Sequence, residues 1–298
     1  MASNFLYSTR EQKFILKEWL DLSKVFGAGR FQGGYSVDDI DSILENAMKI
    51  AKLSIAPTSD DGDNIHAVYK AGKVTTPESY KKGYWDIQEN GLGSSNADHS
   101  DPSSMPLCVM GATNEYLAAA NASLGPYAMA TTGSAGLIRD FGSEKVKNIF
   151  LPKMFSGQWA GTMDLTEPNS GSDVGDITTK ATPTSEPGVY NIVGTKCFIT
   201  GGDQDLTENI IHLTLARIEG CAPGTKGISL FVVPKFWPDA NGEKGEANDV
   251  NCGGIEHKMG LRGSATAIVN YGEENKCRGY LLGDPPVDGK GQGMAQMF

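Results

Sequence analysis

No Cys-x-x-Cys pair and no long apolar run occur in this chain of 298 residues. Its cysteines, Cys108, Cys197, Cys221, Cys252 and Cys277, are scattered and odd in number. That argues against a disulfide framework and suits free thiols in a reducing compartment. His66, His99, His212 and His257 show no His-Glu-x-x-His or paired Cys/His spacing, so no metal site is expected. Cations are in deficit: 26 Lys and Arg face 36 Asp and Glu, a net charge of −10. This speaks against nucleic acid or an anionic membrane surface as the main partner. The first ten residues lack a charged segment followed by an apolar one, and no run of about 18 apolar residues appears. No membrane span and a soluble, cytoplasmic protein are therefore expected. Gly91-Leu-Gly93 lacks the spacing of a dinucleotide fingerprint and follows a helical pattern, not a strand. There is no internal repeat and no low-complexity segment.

The patterning changes near residue 159. Before it, apolar residues recur at helical spacing. Ser8-x-x-Glu11 reads as a capping box, and Ser36-x-x-Asp39 precedes Ile40, Ile43, Leu44, Ala47, Ala51 and Ile55, a stripe that Pro57 should stop. Thr76-Pro77 opens a helix that Gly91 can close, and Met105–Leu124 reads as a buried central helix. Gly142 ends the next helix, and Ser143 caps a short one after it. Beyond Trp159 come short β-rich runs broken by Gly, Pro and Asp: Val189–Thr200, Asn209–Arg217, Gly227–Pro234, Thr266–Tyr271 and Arg278–Leu282. Pro238–Asn251 reads as a loop-like insertion, and Gly289–Phe298 as the start of another helix. The expectation is an α+β multidomain chain. An all-α helical domain (1–158) precedes an antiparallel β-barrel or sandwich (159–284), then the start of a truncated helical bundle (285–298).

Two stretches carry the chemistry. Met163-Asp-Leu-Thr-Glu-Pro-Asn-Ser-Gly-Ser-Asp173 gathers small hydroxyls, proline and glycine into a tight loop that can approach a polar, planar ligand. Lys196-Cys-Phe-Ile-Thr-Gly-Gly202 reads as a strand end. Strand alternation puts Tyr190, Ile192, Lys196, Phe198 and Thr200 on one face, and Val193, Cys197 and Ile199 on the other. An aromatic ring and a hydroxyl two residues apart can stack on a flat heterocycle and bond its edge, as a flavin site requires.

With these motifs the chain resembles the acyl-CoA dehydrogenases. The resemblance rests on Asp164-Leu-Thr-Glu-Pro-Asn-Ser-Gly-Ser-Asp173 and Phe198-Ile-Thr200. It extends through Asp205–Leu213, Gly224–Lys235 and Ile255-Glu-His-Lys-Met-Gly-Leu-Arg262. The last three look like the bacterial branch with an enlarged C-terminal region, which includes enzymes that oxidise the acyl-CoA of methylmercaptopropionate. Asp164 stands where the family commonly has Cys, and Ser170 where it has Ala.

The resemblance implies FAD as cofactor, an acyl-CoA thioester as substrate and an electron-transfer flavoprotein as partner. Met163, Leu165, Thr166, Gly171, Ser172, Phe198, Ile199 and Thr200 would meet the cofactor, with Ser172 also on the CoA side. Phe198 would stack on the ring and Thr200 would bond near flavin N5. The family's catalytic Glu lies beyond residue 298, so no catalytic residue is assigned here. Glu167 and Asp173 are expected to brace the loop. Lys196, Lys258 and Arg262 are the cations near these motifs, and His212 reads as a satisfied core histidine. A homo-oligomer is expected of the full-length protein. An acyl-CoA oxidase using O2 and a flavin-binding homologue without dehydrogenase activity are the alternatives.

Overall fold

The computed structural model describes residues 7–101 and 103–298. The N-terminal ten-residue reading lies partly outside the described residues.

Helices dominate as far as residue 155. They are α1 (Arg10–Lys13), α2 (Ser23–Phe26), α3 (Asp39–Ile50), α4 (Ser59–Asn64), α5 (Glu78–Glu89), α6 (Leu107–Ala120), α7 (Gly125–Phe141) and α8 (Glu144–Phe155). The stripe expected of α3 is buried at Ile40, Leu44 and Ala47, and Asp39 accepts from the Ser36 amide at 2.7 Å. Pro57 does not stop this segment. It sits in the first turn of a short 3-10 piece, where its missing N–H costs nothing, and the chain runs on into α4. Helix α6 is not buried all round: Val109, Thr113, Tyr116 and Leu117 face the core, while Leu107 is 76% exposed. Ser143 caps α8 by accepting from the Val146 amide. The helical part is not purely α. Strands β1 (Val68–Lys70) and β2 (Lys73–Thr75) form a hairpin whose Ala71-Gly72 turn has φ of 50° and 79° at its two central residues.

The second part contains β3 (Trp159–Asp164), β4 (Lys180–Pro183), β5 (Val189–Thr200), β6 (Asn209–Ile218), β7 (Ile228–Pro234), β8 (Phe236–Pro238), β9 (Lys244–Ala247), β10 (Val250–Glu256), β11 (Thr266–Tyr271) and β12 (Arg278–Leu282), then helix α9 (Gly293–Met297). The chain through residues 238–251 is not a plain loop, since β8 and β9 pair across it and β10 begins at Val250. Strands β5, β12, β7, β6 and β4 close a ring, because β4 bonds both β5 and β6. Strands β11 and β10 extend from the far half of β5, and β3 flanks β6. The barrel is not wholly antiparallel. Strands β3 and β4 both run parallel to β6, at Asn209–Thr214 and at Arg217–Ile218. The chain between β3 and β4 therefore leaves one edge of β6 and returns to it.

Helix α7 lies on β3. Ser134 and Met154 fill the space beside Gly161, where a Cβ would stand 1.8 Å from Ser134 Oγ. The Gly161 amide donates to Thr131 Oγ1 at 3.0 Å. Among the described residues no helix is long and apolar enough to cross a membrane.

Candidate functional site

The excursion between β3 and β4 is held from inside. Glu167 is buried, and its carboxylate accepts from the Thr178 amide (2.6 Å) and hydroxyl (2.7 Å), and from the Thr179 amide (3.0 Å) and hydroxyl (2.5 Å). Lys196 Nζ, on β5, donates to Glu167 Oε1 at 2.9 Å and to the Leu165 carbonyl at 3.0 Å. Burial alone would push the Glu167 carboxyl up. The Lys196 ammonium and the threonine donors outweigh it and hold it down at about 2. Burial pushes the Lys196 ammonium down, opposed by Glu167. Asp173 braces the next turn by accepting from the Gly175 amide at 2.9 Å. The buried Glu167 carboxylate is not free to act on a ligand, whereas Asp173 is exposed, and Lys196 is an internal strut with no exposed surface.

The loop is also hydrogen-bonded to the end of β5, through the Cys197 amide and the Thr166 carbonyl at 2.9 Å. Here the expected alternation fails. Against β11, Lys196 pairs with Val269 but Ile199 pairs with Ala267, so β5 carries an extra residue across this interval. Lys196 and Ile199 therefore share the inward face, and Phe198 and Thr200 do not lie on the face of Lys196. Phe198 takes a positive φ of 61° and is 57% exposed. A bulge of this kind re-aims one side chain while the ladder resumes beyond it. Ile199 is buried, so only its backbone is available to a ligand.

The outward groups form one patch. Met163, on the outer face of β3, is 43% exposed, and Leu165, Thr166, Gly171, Ser172, Phe198 and Thr200 are exposed or half-buried. The hydroxyls of Thr166, Ser172 and Thr200 take no protein partner among the described residues. Two helical contacts frame the patch. A Cβ on Gly133 of α7 would lie 3.7 Å from the Met163 methyl, and one on Gly201 3.3 Å from the Tyr127 ring. Gly133 also lines a cavity of about 230 Å³ between α6 and α7, whose walls include Leu92, Met110, Leu117, Ala128 and Met129. An outward aromatic ring, unused hydroxyls beside it and an adjoining apolar cavity suit a planar heterocycle and a hydrocarbon tail side by side.

Of the other cations near the motifs, Arg262 is tied to the Asp63 carbonyl at 3.4 Å, and Lys258 is exposed. Sequence reasoning missed the bulge, the cavity and the use of Lys196. A charged residue in an otherwise uncharged strand, two positions before Phe198, was the available signal for the last.

Comparison with known proteins places these features in context. The model for "Acyl-CoA dehydrogenase, middle domain" matches residues 162–271. Butyryl-CoA dehydrogenase of Syntrophomonas wolfei subsp. wolfei is 44% identical over 298 residues, covering 99% of this chain and 49% of that protein. The 3-methylmercaptopropionyl-CoA dehydrogenase of Ruegeria pomeroyi is 38% identical over 264 residues, covering 88% of this chain and 43% of its own length. The solved butyryl-CoA dehydrogenase of Megasphaera elsdenii superposes with a TM-score of 0.65 at 23% identity, over 88% of this chain and 61% of that one. The chain spans about half the length of the curated relatives it matches.

Proposed function

Because this chain belongs to the acyl-CoA dehydrogenase family, we propose that it supplies the flavin-binding half of an enzyme that oxidises an acyl-CoA thioester to the trans-2-enoyl-CoA. The electrons pass to an electron-transfer flavoprotein. Residues 1–158 form the helical domain, 159–284 the β domain and 285–298 the entry to a further helical part. The observation that carries this reading is Phe198, turned outward by a backbone bulge beside hydroxyls without protein partners among the described residues.

When bound, FAD would supply the acceptor for the hydride leaving the acyl β-carbon. The chain's own residues position and shield. Phe198 and Met163 offer flat and soft apolar surface, worth about 0.5–1.5 kcal/mol beyond area burial for a stacked pair. The hydroxyls of Thr166 and Thr200 present donors to a heterocycle edge, and Ser172 lies toward the CoA side. Lys196 and Glu167 hold the loop of Thr166 and Ser172 at fixed height over β5, so its donors need no reorganisation when the ligand arrives. The α6–α7 cavity takes the acyl tail, and its apolar wall excludes water from the carbon being oxidised.

Glu167 does not serve as the α-proton base, because its buried carboxylate is engaged internally. The test is the visible spectrum of the chain after incubation with FAD and gel filtration. A retained flavin band, weakened in Phe198→Ala and Thr200→Ala, is expected. Equal retention in both variants would move the cofactor away from this patch.

A further inference from the structure

The turn that follows Thr200 is held from the helical domain, by a side chain the proposed chemistry leaves unused. Tyr127, in the first turn of α7, is 2% exposed. Its ring lies against Gly201, where a Cβ would stand 3.3 Å from it. Gly201 has a φ of 67°, the left-handed conformation that turns the chain directly after Thr200.

The Tyr127 hydroxyl reaches past this turn to the segment just before β11. It donates to the Gly263 carbonyl at 3.1 Å and accepts from the Ala265 amide at 2.7 Å. Burial keeps the phenol protonated, so it fills both roles. Ala265 is fully buried, and its amide has no other hydrogen-bond partner among the described residues. The carbonyl of the same residue accepts from the Gly201 amide at 2.9 Å. Ala265 therefore carries the position of the phenol to the turn, through its amide on one side and its carbonyl on the other. Thr200 pairs with Thr266, the next residue of that segment.

Helix α7 anchors the other end of this path. The Tyr127 carbonyl accepts from Thr131 Oγ1 at 3.0 Å, and Thr131 accepts from the Gly161 amide of β3. The same helix meets the Met163 methyl at Gly133. One rigid element thus touches both stretches that form the outward patch. The Thr200 hydroxyl has no protein partner among the described residues, so the backbone beside it sets its reach. A hydroxyl donates well only within a narrow range of distance and angle, and that backbone must be held.

We propose that Tyr127 is a positioning residue for the flavin, its hydroxyl acting through Ala265 to set the Gly201 turn and with it the reach of Thr200. The inference rests on the flavin reading above. Phenylalanine at this position keeps the ring against Gly201 but leaves the buried Ala265 amide unpaired and the turn free to shift.

The experiment titrates FAD into wild type, Tyr127→Phe, Thr200→Ala and the double variant, reading the dissociation constant and the visible band of the bound flavin. Tyr84→Phe is the control, since it removes another buried hydroxyl, bonded at 2.9 Å to the Gly157 carbonyl ahead of β3. Tyr127→Phe should weaken FAD by roughly two- to tenfold, the loss of about one neutral hydrogen bond, and should shift the band. Tyr84→Phe should leave both readings as in wild type. The double variant should bind no more weakly than Thr200→Ala, because the phenol acts through that hydroxyl. Additive losses, unchanged binding in Tyr127→Phe or an equal loss in Tyr84→Phe overturn the inference and leave the flavin reading standing. Should Tyr127→Phe not fold, amide hydrogen exchange of wild type with and without FAD decides. Protection must then rise at Gly201 and Ala265 together, and any other pattern overturns the inference. Wild type that retains no flavin band overturns both.

Discussion

Replacing Glu167 by Gln tests whether the buried pair sets the site. The carboxylate meets two donors from Thr178, two from Thr179 and one from Lys196. An amide has one oxygen, so whichever way it turns, its NH2 faces a backbone N–H that can no longer be satisfied. Lys196, with no exposed surface, would lose its counter-charge, keeping at best a neutral amide oxygen beside the Leu165 carbonyl. Breaking one partner of such a pair costs about 3–5 kcal/mol. The pH dependence offers a second route to the magnitude. A fall from 4.5 to about 2 corresponds to roughly 3 kcal/mol. Because the folded-state value lies below the unfolded one, that stability is present above about pH 4.5 and is lost as pH falls toward 2. Urea unfolding followed by circular dichroism at about pH 7 and about pH 3 reads both. Glu167→Gln should lose about 3–5 kcal/mol at neutral pH and show a weaker acid dependence than wild type. Lys196→Met in the same background should recover part of the loss, by removing the stranded charge. A loss under about 1 kcal/mol with unchanged acid dependence would refute the bracing role.

Two further outcomes can be checked directly. Phe198→Gly should raise the thermal midpoint of the flavin-free chain, since a left-handed backbone costs a non-glycine residue about 1–2 kcal/mol and this ring is largely exposed. The same variant should bind FAD several-fold more weakly, and a lowered midpoint would show that the ring holds the fold. Gly161→Ala should cost about 1–3 kcal/mol by driving a methyl against Ser134, with partial recovery in the Ser134→Gly background. Unchanged stability would mean that α7 and β3 are not closely apposed.

Local patterning was legible where one rule acted alone. Strand β5 runs Val189–Thr200 as its β-rich composition and flanking turn residues indicate, and Thr266–Tyr271 and Arg278–Leu282 likewise match their strands. The Thr76-Pro77 start and the Gly91 stop of α5 follow from backbone preferences that need no tertiary partner. The loop motif with Phe198 and Thr200 also marked out, by residue type alone, the groups that prove to lie outward. Other features depended on distant partners. Simple alternation assigned Lys196 to the face of Phe198, but the register of β11 imposes a bulge that sends them apart. Val250–Glu256 becomes a strand because β11 offers it an edge, not because of its own composition. The parallel placement of β3 and β4 on one edge of β6 is likewise a matter of which edge is free.

The sequence by itself determined where the polar loop motif and the strand end after it lie and where the chain passes from helix to strand, because periodicity, turn chemistry and side-chain type are local properties. Only the tertiary structure decided that Lys196 and Glu167 are internal braces and that Asp164 meets His212 and Tyr271 inside the barrel. Burial and charge pairing arise from residues far apart in the chain, and a carboxylate becomes a ligand, a base or a strut according to what the fold places against it.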